Sequence, residues 1–405
     1  MQVIKVMKLK IGHVLYDITD FKHPGGDVIR TYAWNEKTRI DASNAFHAFH
    51  GRSNKAHQTL QSISSITLDV QEVQRPEELE FNLLRKQLIK DGYFRPSAVH
   101  VAYRIVSNGL LWWASSFLFS NGWCVLAIIL MSVNYVQCGW IQHECGHKSF
   151  TGNSKWDSIL QTVYLNILMG GNKRFWNDQH FSHHANTQNI NHDKDLKTHP
   201  LVAFDNKLVS RKGHTWFTKR QHFIYWWLVN PLVWMAWSFV SHPMFAYYKK
   251  HTSEYVLTKT TSLTLYCMYF TYACGVSTVT NSLILFHLVS LLGTCLLLAT
   301  FTVSHTTTGA YESHRGWVEP ASHHTVNIYD NLLTNWWMGY LNFQIEHHLF
   351  PTMPQFRQNE VGKKYVKPFF TKHSIPYNEM SFWKANIDVY HNLKIVSNSK
   401  NDKIY

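Results

Sequence analysis

The sequence predicts a chain in two parts. A small α+β domain occupies residues 1–70, and a linker with a short amphipathic helix occupies 71–100. Residues 101–405 form an all-α membrane domain with four membrane-spanning helices and a cytosolic helical cap. Three observations predict this. Residues 10–21 (KIGHVLYDITDF) alternate like a short strand pair and run into His23-Pro24-Gly25-Gly26, whose proline and glycines supply the dihedrals of a sharp loop. The stretch 71–100 is polar and interrupted by Pro76 and Pro96. No Asp, Glu, Lys or Arg occurs from Ile105 to His143, nor from Thr260 to Tyr311.

Within the first part, YDIT-x-F, HPGG and then DA-x-x-AF-x-x-FH (Asp41 to His50) follow in the order seen in cytochrome b5 domains, which the segment resembles. The tryptophan that usually opens that domain is not evident. The resemblance implies a haem b between two axial imidazoles, His23 and His50, with His47 as the competing choice for the second. A haem closed by two histidines has no open position for oxygen and carries electrons.

Each uncharged block is long enough for two spans, because a bilayer core of ~30 Å needs roughly 20 apolar residues. The first breaks at Ser120-Asn121-Gly122, giving spans of about 101–119 and 123–142. The second breaks near Thr280-Asn281, giving about 259–279 and 282–304. Between the blocks lie Lys173, Arg174, Arg211, Lys212, Lys219 and Arg220, which the positive-inside rule places in the cytosol with both termini. A third uncharged run, 221–248, holds four tryptophans and is broken by Pro231 and Pro243. It reads as an interfacial segment, since one further crossing would put the second and third histidine clusters on opposite sides.

The net charge of +13 fits an anionic membrane surface better than nucleic acid, for which no binding motif is present. Six cysteines without disulfide or zinc spacing suit a reducing compartment, and no secretory signal is expected from the first residues.

The chemistry is carried by three histidine clusters. His143 and His147 (HECGH) are four apart; His180, His183 and His184 (HFSHH) are spaced i, i+3, i+4; His347 and His348 follow Gln344 (QIEHH). Residues three and four apart share a helix face, so each cluster can present converging ligands. Imidazole suits iron, copper, nickel and zinc, and so many imidazoles exceed what one four-coordinate zinc requires; two irons fit better. His305 closes the fourth span beside them. His192, Asp193 and Asp195 read as well as a surface loop as a set of supports for the ligands, and are left unassigned.

In this order, HPGG, H-x-x-x-H, H-x-x-HH and Q-x-x-HH resemble the front-end fatty acid desaturases, endoplasmic reticulum membrane enzymes with a fused cytochrome b5 domain. The resemblance covers nearly the whole chain. It implies a di-iron centre on His143, His147, His180, His183, His184, His347 and His348, with His305 matching a further ligand of related enzymes. It further implies O2 as co-substrate, a polyunsaturated fatty acyl substrate on coenzyme A or phospholipid, and electrons from NADH through cytochrome b5 reductase. The cis double bond would enter between an existing one and the carboxyl end. Glu144 stands where the family often has Asp. Gln344 is the one non-histidine of the third cluster, offering a carbonyl oxygen or an amide donor. The rival readings are a related di-iron hydroxylase or sphingoid-base desaturase, an H-E-x-x-H intramembrane zinc protease with Glu144 as base, and a non-enzymatic haem anchor.

Overall fold

The computed structural model describes residues 6–68 and 75–399; part of the expected linker lies outside them. The N-terminal part is a four-stranded sheet in the order β3-β1-β2-β4. Strands β1 (Lys8–Ile11) and β2 (Val14–Asp17) pair antiparallel, turning at Gly12, whose φ of 62° suits a residue without a Cβ. β3 (Ala33–Trp34) adds beside β1 and β4 (Ser65–Thr67) beside β2. Helices α1 (Ser43–His50) and α2 (Asn54–Gln61) complete the unit, and the Ser53 side chain caps α2 by accepting from the Ala56 N–H. The HPGG loop is tight for a visible reason. A Cβ at Gly25 would lie 2.7 Å from the His23 ring, and Gly26 sits at φ 82°.

Helix α3 (Pro76–Lys90) forms where a short helix was expected, with Pro76 at its start and Glu77 and Glu78 in its first turn. Its buried Phe81 and Leu88 share one core with Leu9, Ile18 and Tyr32 of the sheet domain and with Ile345, Leu349 and Phe350 of the third histidine cluster. Phe81 stacks on Phe350 with ring centroids 5.2 Å apart. Each such fully buried side chain contributes roughly 1.5–3 kcal/mol. The N-terminal domain is thereby packed onto the histidine-bearing segment.

The first uncharged block forms the expected hairpin, α4 (Ala98–Ser120) and α5 (Cys124–Gly146), turning at Asn121-Gly122. Segment 173–185 forms α6 (Lys173–Ala185), and 221–248 forms α7 (Gln221–Tyr248). In α7 a π turn precedes each proline pair, Tyr225–Val229 before Asn230-Pro231 and Trp237–Ser241 before His242-Pro243. Widening the preceding turn moves away the carbonyl that the proline ring would strike, so the helix passes both prolines. The second block forms α8 (Thr252–Met268), extended by a π turn through Ala273, and α9 (Val279–Thr302). Its break falls at 274–278, earlier than the expected 280–281. Gly275 sits at φ 71° and Thr278 caps α9 by accepting from the Asn281 N–H, so Asn281 lies inside the helix.

Among the described residues, three helices are long and apolar enough to cross a membrane: α5, α7 and α9. The expected four spans counted α4 and α8 in place of α7. α4 carries His100, Arg104, Asn108 and several serines, and α8 carries Glu254, Lys259 and several threonines, which lower their apolar character. α5 and α9 pack closely because glycines meet bulky partners. A Cβ at Gly293 would lie 2.5 Å from the Tyr135 ring, and one at Gly139 3.0 Å from Leu297.

Candidate metal centre

Helix geometry sorts the histidines into two groups. His143 and His147 stand one turn apart at the C-terminal end of α5, and His180 and His184 one turn apart on α6. These four meet His347 of α10 (Gln344–Leu349), and one ring nitrogen from each of the five lies within 4.8 Å of all the others. Successive residues on a helix point about 100° apart. His183 and His348, the neighbours of His184 and His347, therefore aim elsewhere, and with His305 they form a second group under the same 4.8 Å limit. His184 and His348 stack with centroids 4.2 Å apart, so the groups adjoin.

The donor atoms fit metal ions. His147 Nε2 and His180 Nε2 are 2.8 Å apart, and His184 Nε2 is 3.1 Å from the same His180 atom. Two nitrogens each about 2.0–2.1 Å from one ion and at right angles sit about 2.9 Å apart. Burial, then the neighbouring imidazoles, push His180, His184, His347 and His348 well below the usual histidine range, which keeps them in the neutral, ligating form. Burial, then His183, likewise lower His305 to about 3.

In the three-histidine group the second ring nitrogen of each residue is engaged. His183 Nδ1 donates to Asp193 Oδ2 at 2.9 Å, and His305 Nδ1 to the His324 carbonyl at 3.3 Å. The Thr187 hydroxyl spends its proton on the His183 carbonyl at 3.1 Å, so at 2.9 Å it accepts from His348 Nδ1. All three rings thus carry the proton on Nδ1 and leave Nε2 for an ion. Burial lowers the His183 pKa, but the Asp193 and Asp195 carboxylates outweigh it and raise it to about 9, so an ion at His183 Nε2 would take the place of a proton there. Asp193, unassigned from sequence, is fully buried and also accepts from the Gln188 and Asp195 N–H groups, at 2.8 and 2.9 Å. Its signal was the H-D-K-D run just after HFSHH. His192 lies outside this set; the ring supported by Asp193 is that of His183.

Gln344 is buried and stands four residues before His348, on the side of the three-histidine group. Its Nε2 donates to the Leu341 carbonyl at 2.8 Å. Glu144 is turned to other work. Its Oε1 accepts from the Gln355 N–H at 3.0 Å and its Oε2 lies 3.6 Å from His100, so it is committed to structure and is not free to act as a protease base.

The N-terminal domain sits directly against this site. The His23 and His50 rings are neighbours, with centroids 5.8 Å apart and their planes at 74°. The His47 ring instead lies against Phe46 and His57. Burial, then His23 and His57, lower His50 to about 4. Phe49, next to His50, touches His184 with centroids 6.3 Å apart. Tyr32 donates to the Ala185 carbonyl at 2.6 Å, Asn186 to Thr31 at 3.1 Å, and Arg52 to the Thr352 carbonyl at 2.8 Å. Glu78 accepts from the Trp317 and Val318 N–H groups at 2.8 and 3.0 Å and from the Asn44 amide, tying the linker helix to both parts.

The fatty acid desaturase family profile matches residues 82–381, a span that holds all eight clustered histidines. The chain belongs to the fatty acid desaturase family. It is 34% identical over 98% of its length to an acyl-lipid (8-3)-desaturase of Rebecca salina, covering 93% of that protein. It is 32% identical over 96% of its length to an acyl-lipid (8-3)-desaturase of Thraustochytrium sp, covering 92% of it. It is 27% identical over 95% of its length to fatty acid desaturase 3 of Homo sapiens, covering 88% of it. These relatives place it among the front-end desaturases, oxidoreductases that act on polyunsaturated fatty acyl chains in a membrane setting.

Proposed function

We propose that this desaturase works as a fused pair. A cytochrome b5-like domain at residues 1–70, with haem b on His23 and His50, supplies electrons to two non-haem irons. Five histidines (His143, His147, His180, His184, His347) hold one iron; His183, His305 and His348, with Gln344 alongside, hold the other. The observation that carries this reading is the division of eight imidazoles into two adjoining groups directly beneath the docked N-terminal domain.

When bound, two irons and O2 supply an oxidant strong enough to take hydrogen from an unactivated acyl chain. The balance needs O2, two hydrogens from the chain, two electrons and two protons, and yields a double bond and two waters. The electrons come from NADH through cytochrome b5 reductase. This chain's own residues fix the ligand tautomers through Asp193, Thr187 and the His324 carbonyl. Buried helices around the centre keep bulk water from it. Gln344 presents an amide oxygen where its sister positions present imidazole, so the second iron is held less tightly on that side.

The protein lies in the endoplasmic reticulum membrane with four spans, α4, α5, α8 and α9, and both termini in the cytosol. α7 has the length and apolarity of a span but lies in the interface. Its exposed Trp227 suits the headgroup region, and a fifth crossing would part α6 from α10, whose histidines adjoin. Two relatives above 30% identity bear the name acyl-lipid (8-3)-desaturase, so the substrate proposed is a lipid-linked polyunsaturated acyl chain with the same regiochemistry. Expression in a host without polyunsaturate synthesis, fed a panel of fatty acids, tests this by locating new double bonds. A product two hydrogens lighter, with its new bond on the carboxyl side of an existing one, is expected. A product heavier by one oxygen would make the protein a hydroxylase.

A further inference from the structure

Two buried glutamines that follow the third histidine cluster face ligands of the five-histidine group. Gln355, 2% exposed, places its amide 2.8 Å from His143 Nδ1, and Gln358, fully buried, places its amide 3.5 Å from His347 Nδ1. In each case the nitrogen end of the amide faces the ring, while the oxygen end, Oε1, is buried without a partner. A ring that ligates through Nε2 carries its proton on Nδ1, so a facing amide N–H would set donor against donor. The two ends of a side-chain amide have the same outline, and turning each over brings the orphaned oxygen to the Nδ1–H. His347 Nε2 is itself buried without a partner, as expected of an atom aimed at an ion. The three-histidine group shows the same logic already satisfied, with an oxygen acceptor at every Nδ1.

We propose that Gln355 and Gln358 are positioning residues for the five-histidine centre, each accepting Nδ1–H through its carbonyl oxygen and so holding His143 and His347 with Nε2 toward the iron. Glu144 takes part at one remove. It follows His143 in α5, and by accepting the Gln355 N–H it ties the segment carrying both glutamines to that helix. The two irons then differ in their surroundings. Neutral amides back the five-histidine site, whereas a buried carboxylate, Asp193, backs His183 in the other. This rests on the two-centre reading above.

The test uses the full-length purified protein loaded with ferrous iron and challenged with a ferrous chelator, comparing wild type with Gln355→Leu, Gln358→Leu and Gln358→Glu. Loss of an outer partner typically costs about 10- to 100-fold in metal affinity. Each leucine variant should release one of its two irons about 10- to 100-fold faster than wild type, with the melting temperature of the metal-free chain little changed. Gln358→Glu keeps an oxygen acceptor and should retain both irons. If the leucine variants fail to fold, Gln355→Asn carries the test, because it withdraws the amide by one methylene and should lose iron in the same way. Wild-type release rates in the leucine or asparagine variants would overturn the proposal alone. A wild type that binds no iron would overturn the two-centre reading and this proposal with it.

Discussion

Asp193→Asn removes one oxygen from a carboxylate that has no spare. Oδ2 accepts from His183 Nδ1 and the Gln188 N–H, and Oδ1 accepts from the Asp195 N–H. Asparagine keeps a single oxygen. If that oxygen stays on His183 and Gln188, the new amide N–H₂ opposes the Asp195 N–H, and one unpaired donor costs about 1–3 kcal/mol of stability. If the amide turns over, His183 loses its acceptor and its ring is free to rotate. Either way the negative charge that makes His183 a strong ligand is gone, and iron affinity at the three-histidine site should fall about 10- to 100-fold. That is about 1.4–2.7 kcal/mol at 1.36 kcal/mol per tenfold change. The assay is iron retained per chain against a graded ferrous chelator, with the melt of the metal-free chain as the structural control. The variant should lose one iron at a chelator strength that leaves the other in place. A wild-type retention curve for Asp193→Asn would refute the assignment of Asp193 as the support of His183.

Other outcomes follow from the same geometry. His23→Ala should lose the haem absorbance and most activity in a host low in free cytochrome b5, with the non-haem iron still bound; a retained haem spectrum would contradict the ligand pair. Gln344→Ala and His305→Ala should each lose most desaturation and part of the iron, whereas Gln344→His should keep a measurable share, as read by product formed per hour and iron per chain. Tags near Asn121 and at 275–278 should be lumenal and one at Arg211 cytosolic by protease protection, and a lumenal Arg211 would separate the histidine clusters. Glu78→Ala strands the Trp317 and Val318 N–H groups and should destabilise docking by about 2–6 kcal/mol, at about 1–3 kcal/mol each, seen as faster proteolysis between the two parts. Burial raises the Glu78 pKa above 4.5, so its folded form holds the proton more tightly; its stabilising share is full below about pH 4.5 and falls as pH rises through the folded pKa, a slope that Glu78→Gln should remove.

Much of the site was legible because helix periodicity is local. The i, i+4 spacing of His143 with His147 and of His180 with His184 sets each pair on one helix face, and the number of imidazoles points to two irons, but only the fold shows that 183/184 and 347/348 divide between two groups. The hairpin turn at Asn121-Gly122 was equally plain. The second break was misplaced by a few residues because Thr280-Asn281 looks like a turn, whereas the Thr278 cap draws the Asn281 N–H into the helix. Asp193 and the glutamines after the third cluster could not be read from spacing. Their partners lie 10 residues away for Asp193, 212 for Gln355 and 11 for Gln358, so only chain folding reveals which ring each one meets. Motif position pairs His50 with His23; in the fold the His50 ring lies 5.8 Å from that of His23, and the His47 ring lies beside His57.

The most direct test of the whole account is a metal inventory of the purified full-length protein, with total iron and zinc measured by mass spectrometry beside haem measured by absorbance. Two non-haem irons and one haem b per chain are expected, with the haem lost and both irons kept in His23→Ala. Zinc in place of iron, or a single metal ion and no haem, would contradict it.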